Sequence, residues 1–344
     1  MTTPTTTQPL ANTRIIDLTH GIAGPYCTKL LADYGADIIK VERPGLGDYA
    51  RKIGPFPGDI DNPEASGIFL FLNTNKRSIV LDLNSNPDSE FLRELINEAD
   101  IVVENFQPGQ MERWGLGYAE LIKNNPNLIM TSISNFGQTG QYIDYVASDL
   151  VLYAMGGNMT RTGLPDRYPL QLVDNHVQYH AGNVAAMATL IAWYSRNHKG
   201  IGGQHVDISI LETQLGSVNG SLQSFVGYQY TGDRPLRLSQ GGALGLPGNG
   251  YFPCLDGYVG ISAPYARWPN VVAMLGMPEL LDDPRFNTPA KQADPEVREE
   301  FIGTIWLPWV LERTKQQFVE ECQAHEIISG LINDVGEAMD HNPQ

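Results

Sequence analysis

The stretch RIIDLTHGIAGPYCTKLLADYGADIIKVE (14–42) reads as strand, helix, strand. Arg14–Leu18 is a short apolar run of buried-strand type. Tyr26–Tyr34 carries apolar residues at helical spacing, and Ala36–Glu42 is a second β-branched run. Two strands flanking one helix pair parallel through a crossover, the unit of an open α/β sheet.

The pattern continues outward. Ser78–Leu83, Ile101–Glu104, Leu128–Ile133 and Gln204–Ile210 are further strand candidates. Helices are expected over Pro87–Asn97, Tyr118–Asn124, Val177–Trp193 and Leu211–Gln223. This predicts a Rossmann-like α/β domain with a parallel sheet over residues 13–228, after a disordered leader at 1–12. The segment Gln240–Gly250 (QGGALGLPGNG) is too rich in glycine for regular structure and reads as a mobile loop able to cover a ligand. Beyond it, Tyr251–Ser262 is a hairpin candidate turning at Asp256–Gly257. A smaller α+β domain is expected over 229–335, with 336–344 as a shortened return segment.

Composition narrows the function class. The 344 residues are 42 % hydrophobic and 18 % charged, with a net charge of −16 and no basic run. Those values fit a folded protein and disfavour nucleic acid or an anionic membrane as partner. No apolar run approaches the roughly 18 residues of a membrane span, and the start lacks a secretory pattern, so the cytoplasm is the expected compartment. Cys27, Cys254 and Cys322 lack metal-like spacing and read as reduced thiols, Cys27 and Cys254 as core fillers. No metal, Walker or GxGxxG motif is present.

Three groups can carry chemistry. One is the glycine loop, with Gly241 and Gly242 at its start. Another is Asp174-Asn175-His176-Val177-Gln178-Tyr179-His180 at the head of the long apolar helix, where free N–H groups favour negative charge. Asp174 can act there as a helix cap, and His176 and His180, four apart, lack a third ligand for a metal. The last group is cationic: Lys40, Arg43, Arg51, Lys76 and Arg77. Cations at carboxyl ends of parallel strands stand where such sheets bind ligands, so Arg43, Lys76 and Arg77 are candidate phosphate contacts.

Taken together, RIIDLTHGIAGPYCTKLLADYGADIIKVERPGLGD (14–48), NTNKRSIVLDL (73–83), IVVENFQPGQMERWGLGY (101–118), NPNLIMTSISNFGQTG (125–140), SDLVLYAMGG (148–157), GGQHVDISILET (202–213), YFPCLDGYVGIS (251–262) and DDPRF (282–286) resemble the class III CoA-transferases. That family includes formyl-CoA transferase, crotonobetaine CoA-transferases and α-methylacyl-CoA racemase. The resemblance implies an interlocked dimer, no metal, and acyl-CoA plus a small carboxylic acid as ligands. It also implies that Arg43, Lys76, Arg77, Asn105 and Phe106 contact CoA. Gln107 stands where the family usually has arginine, and Ile22 where formyl-CoA transferase has an active-site glutamine.

The family's nucleophile is an aspartate four residues before a glycine at the start of the long helix. With Gly182 as that glycine, the position holds Gln178. A carboxamide oxygen is a poor nucleophile, and its nitrogen is not basic. Three expectations follow: a CoA-binding subunit paired with a catalytic paralogue, an active transferase using Asp174 as displaced nucleophile, or another acyl-CoA chemistry with His176 or His180 as base.

Overall fold

The computed structural model describes residues 8–164, 166–173, 175–216, 221–234 and 245–340. It divides into two compact units, residues 1–162 with 169–235, and residues 163–168 with 236–344. The expected boundary after residue 228 thus falls a few residues early.

The first unit is built on a six-stranded, wholly parallel sheet in the order β3-β2-β1-β4-β5-β6. Its strands are β1 (Arg14–Asp17), β2 (Asp37–Glu42), β3 (Lys76–Val80), β4 (Ile101–Glu104), β5 (Ile129–Ser134) and β6 (Gln204–Ser209). The helices are α1 (Ala23–Asp33), α2 (Gly67–Leu72), α3 (Asn86–Asn97), α4 (Gln110–Arg113), α5 (Tyr118–Leu121), α6 (Asp149–Met155), α7 (His176–Lys199), α8 (Ile210–Leu215) and α9 (Ser221–Thr231). The strand order reverses between β1 and β4. Their carboxyl ends therefore diverge and leave a crevice, the usual ligand position in such sheets.

Successive strand residues point to opposite faces, so β1 serves two cores. Ile15 packs with Ile38, Ile101, Val103 and Ile129 under α1 and α7. Ile16 packs with Val41, Val102 and Met130 under α3, α4 and α5. Gly182 has a defined reason to be glycine: a Cβ there would stand 2.6 Å from the carbonyl oxygen of Ala23. The close approach of α1 and α7 depends on it.

Several boundaries differ from expectation. Residues 8–12 are not a free leader: Leu10 is buried and donates its N–H to the Tyr34 carbonyl at 3.0 Å. One apolar side chain among polar neighbours is too little signal for a sequence to reveal. The single helix expected over Leu211–Gln223 is two, α8 ending at Leu215 and α9 starting at Ser221. Residues 217–220, most of the glycine loop including Gly241 and Gly242, and Asp174 lie outside the described residues.

The second unit holds an antiparallel sheet, β7 (Gly248–Cys254), β8 (Gly257–Ala263) and β9 (Ile328–Ile332). The hairpin joins Cys254 to Gly257, at the expected turn. The third strand, with its Ile-Ser-Gly-Leu-Ile alternation, is not among the strands expected from the sequence. Helices α10 (Trp268–Leu275), α11 (Pro289–Gln292), α12 (Pro295–Phe301), α13 (Leu307–Leu311), α14 (Lys315–Ala324) and α15 (Val335–Asp340) complete the unit. Its core is aromatic, centred on Trp268, Phe286, Phe301, Trp306 and Phe318. All three cysteines are buried free thiols.

Candidate functional site

Beneath the crevice lies a buried charge cluster that shapes the loop after β1. The Asp17 carboxylate accepts from the Thr19 N–H (2.9 Å), the Thr19 hydroxyl (2.5 Å), the Thr28 hydroxyl (2.8 Å) and Lys76 Nζ (3.0 Å). Lys40 Nζ donates to the Thr19 carbonyl at 2.7 Å and pairs with Asp48 at 2.9 Å. Asp48 in turn accepts the Gly21 N–H at 2.8 Å. Burial alone would raise the Asp17 carboxyl, but Lys40, Lys76 and Thr19 outweigh it and hold the group well below the carboxylate range. Such pairs persist in an interior because every charge has a partner.

This corrects the reading of the cations. Lys76 opens β3, far from the strand's carboxyl end, and its ammonium is buried on Asp17, the Pro25 carbonyl and Asn73. Arg77 is exposed and paired with Asp37. Arg51 is bound to Glu42 at 2.7 and 2.9 Å. A long side chain near a strand start can fold inward as readily as outward, and spacing alone does not reveal which.

The crevice itself is a cavity of about 710 Å³. From β1 and the loop to α1 it takes His20 and Ile22; from the end of β2, Arg43; from the end of β4, Asn105, Phe106 and Gln107; and from α4, Arg113. The far wall comes from Ile133, Ser134 and the segment 143–149, and its floor from Asn175 and Gln178 at the head of α7. Asn105 locks two of these strands together. Its Oδ1 accepts the His20 N–H at 2.9 Å and its Nδ2 donates to the His20 carbonyl at 2.8 Å. Phe106 stands edge-on to Trp114, 5.0 Å between ring centres, and both line a smaller adjoining cavity of about 260 Å³ with Leu18, Val41 and Arg43.

The polar atoms of the wall are poised for a ligand. His20 Nδ1, Ser134 Oγ and Asp149 Oδ1 are buried without a protein partner. Orphaned buried polar atoms are rare, and three on one cavity mark a place where something else supplies the bonds. Burial, with Lys40 and Arg43 nearby, lowers His20 to about 4 against the pull of Asp48, so its ring is neutral at neutral pH.

Gln178 lines this cavity, and beside it is a carboxylate that sequence reasoning missed. Asp149, at the start of α6, has Val177, Gln178 and His176 as its electrostatic neighbours. Burial raises its carboxyl above the ordinary value, while the Val177 and Gln178 N–H groups, the Gln178 side chain and His176 pull the other way. The signal was available, since Asp149 lies in the matched segment SDLVLYAMGG, but an acid in a helix's first turn has an ordinary electrostatic explanation. Arg113 was missed likewise. Neither His176 nor His180 is in the cavity wall, and His180 Nε2 sits 3.1 Å from the Thr213 carbonyl.

A second acid stands behind the wall. Glu104, at the end of β4, is buried and accepts the Phe106 N–H at 2.8 Å. Burial raises it to about 7, opposed by bonds from Ser132 and Phe106. Ser132 also shares a 2.8 Å hydrogen bond with His205, on which Tyr118 stacks. Among the described residues no group of three histidine, cysteine or carboxylate side chains is placed to hold a metal ion, and no helix is long and apolar enough to cross a membrane.

Comparison with known proteins agrees with this geometry. The model of CoA-transferase family III matches residues 10–344. The succinyl-CoA–D-citramalate CoA-transferase of Chloroflexus aurantiacus is 36 % identical over 332 residues, 94 % of this chain and 78 % of that one. The succinyl-CoA–L-malate CoA-transferase beta subunit of the same organism is 31 % identical, over 97 % of this chain and 80 % of its own length. Among solved structures, a CAIB/BAIF family protein from Brucella suis superposes with a TM-score of 0.85 at 29 % identity, covering 98 % of this chain and 87 % of that one. A reversed parallel sheet, a crevice with orphaned polar walls and a match along nearly the whole chain converge on one assignment: the protein belongs to CoA-transferase family III.

Proposed function

We propose that this chain binds an acyl-CoA and a small carboxylic acid as the non-nucleophilic subunit of a cytoplasmic CoA-transferase. A catalytic paralogue supplies the attacking carboxylate, within the interlocked pairing the family resemblance implies. One observation carries the reading: the cavity floor presents the Gln178 carboxamide, and the described acid beside it, Asp149, has one carboxylate oxygen buried. The carboxamide cannot form the mixed anhydride that transfer requires.

Among the described lining residues, Arg43 and Arg113 are the arginines, and they suit the CoA phosphates. The adjoining slot between Phe106, Trp114 and Arg43 suits a flat base. Phe106 and Asn105 act together, one as a wall and the other as the lock on its strand. The relative that is itself a beta subunit supports a two-subunit arrangement.

A second reading is an active transferase with a displaced nucleophile, favoured by the presence of Asp149 in the cavity. Its oxygen would attack the thioester carbon and expel CoA thiolate; the thiolate would then attack the aspartyl carbon and release the first acid. Asp174, four residues before Gln178 in the sequence, is the other candidate for that role. Reaction geometry tolerates only about 1 Å of misplacement, so both are the weaker alternative. A histidine base has less support, because His176 and His180 stand outside the wall.

Titration of the purified chain with CoA, alongside a transfer assay with a panel of acyl-CoAs and acids, tests the choice. Micromolar binding without turnover supports the subunit role; robust transfer by the isolated chain refutes it.

A further inference from the structure

The walls of the 710 Å³ cavity are chemically divided. Among the described residues its two lining arginines, Arg43 and Arg113, belong to the side shared with the smaller slot: Arg43 lines both cavities, and Arg113 precedes the slot residue Trp114. The side toward Gln178 is different. Its lining residues from β5 through Asp149, with Asn175, Gln178 and Ile210, include no lysine or arginine and two acids, Asp144 and Asp149. Ile22, Ile133 and Ile210, all buried, make this end apolar. Ser134, Asn135 and Ser148 offer hydrogen bonds there but no charge. His176, which neighbours Asp149, is not a lining residue.

If the phosphates of CoA occupy the arginine side, its thioester and acyl group extend toward Gln178. An anionic acyl terminus would then be desolvated against isoleucines and brought toward the Asp149 carboxylate, with no cation among the described lining residues there to offset either cost. A hydrocarbon terminus would instead remove the isoleucines' surface from water. We infer that the acyl group this cavity takes is uncharged and apolar, and not the second-carboxylate-bearing acyl group of a dicarboxylic acid. The inference rests on the CoA-site reading above. It separates this chain from those relatives whose names carry succinyl-CoA.

Butyryl-CoA and succinyl-CoA have equal carbon number and differ in the terminal carboxylate, so they isolate the point. Calorimetric titration of the full-length protein with free CoA, butyryl-CoA and succinyl-CoA should give butyryl-CoA about tenfold or more tighter than succinyl-CoA, a difference of about 1.4 kcal/mol. Ile143→Lys, on the half-buried far wall, should narrow that ratio by strengthening succinyl-CoA relative to butyryl-CoA. Succinyl-CoA bound as tightly as butyryl-CoA, with free CoA also bound, overturns this inference alone. Absence of binding by free CoA overturns the CoA-site reading and this inference with it.

Discussion

Asp149 and Gln178 line the same cavity at the head of α7, and the glutamine's N–H and side chain pull the Asp149 carboxyl down against the burial that raises it. Gln178 thus sets a neutral side chain beside a half-buried acid, where a carboxylate would set a second charge.

Gln178→Asp should expose that relationship. Two carboxylates in contact cannot both ionise cheaply, so one is pushed up in pKa and the fold loses about 1–2 kcal/mol at neutral pH relative to acid. Thermal unfolding at low and neutral pH should show a destabilisation that shrinks on acidification. If the cavity otherwise holds an acyl-CoA competently, the same variant should acquire a covalent acyl adduct at residue 178.

Removing Arg113 and removing Lys76 should have opposite signatures. Arg113→Ala is expected to weaken CoA binding by about tenfold or more, the value of one charge-assisted contact, with Tm nearly unchanged. Lys76→Met strips a partner from the buried Asp17 and should cost about 3–5 kcal/mol of stability. Paired calorimetry and denaturant titration distinguish them. A Lys76 variant of unchanged stability with lost CoA affinity would return that lysine to the ligand site.

Glu104 predicts a pH effect with a definite sign. Its pKa in the fold is about 7, above the ordinary 4.5, so between those values the folded chain binds more protons than the unfolded one. Its contribution is fully present below the lower value and lost as pH rises through the upper, a change on the order of 3 kcal/mol. Glu104→Gln should remove that slope. Urea unfolding at pH 5 and pH 8 measures it: the variant gains relative to the wild type at the higher pH. An equal difference at both pH values would contradict the assignment.

Gly182→Ala is expected to destabilise by about 1–3 kcal/mol, since the added methyl meets the Ala23 carbonyl and forces α1 and α7 apart. Chemical denaturation checks the magnitude.

How much of this was legible follows from what kind of information each feature needs. The β1–α1–β2 unit and the parallel sheet announce themselves in local periodicity. The role of Gly182 as a register mark was readable from its motif, and the carbonyl it spares explains why. Lys76 was misread because its fate depends on Asp17, far away in sequence, and on which way a long side chain bends. Arg113 and Asp149 were overlooked because an isolated charge in a short helix carries no spacing pattern; only the assembled crevice gathers them. The third strand of the small sheet was hidden because its pairing partner, β8, lies some seventy residues earlier.

The most direct test of the central claim is intact-protein and peptide mass spectrometry of the purified wild-type chain after incubation with an acyl-CoA panel, with and without hydroxylamine. The account predicts CoA bound but no covalent acyl or CoA adduct on any residue. An adduct on Asp149 or Asp174 would contradict it and identify the chain as a transferase with a nucleophile of its own.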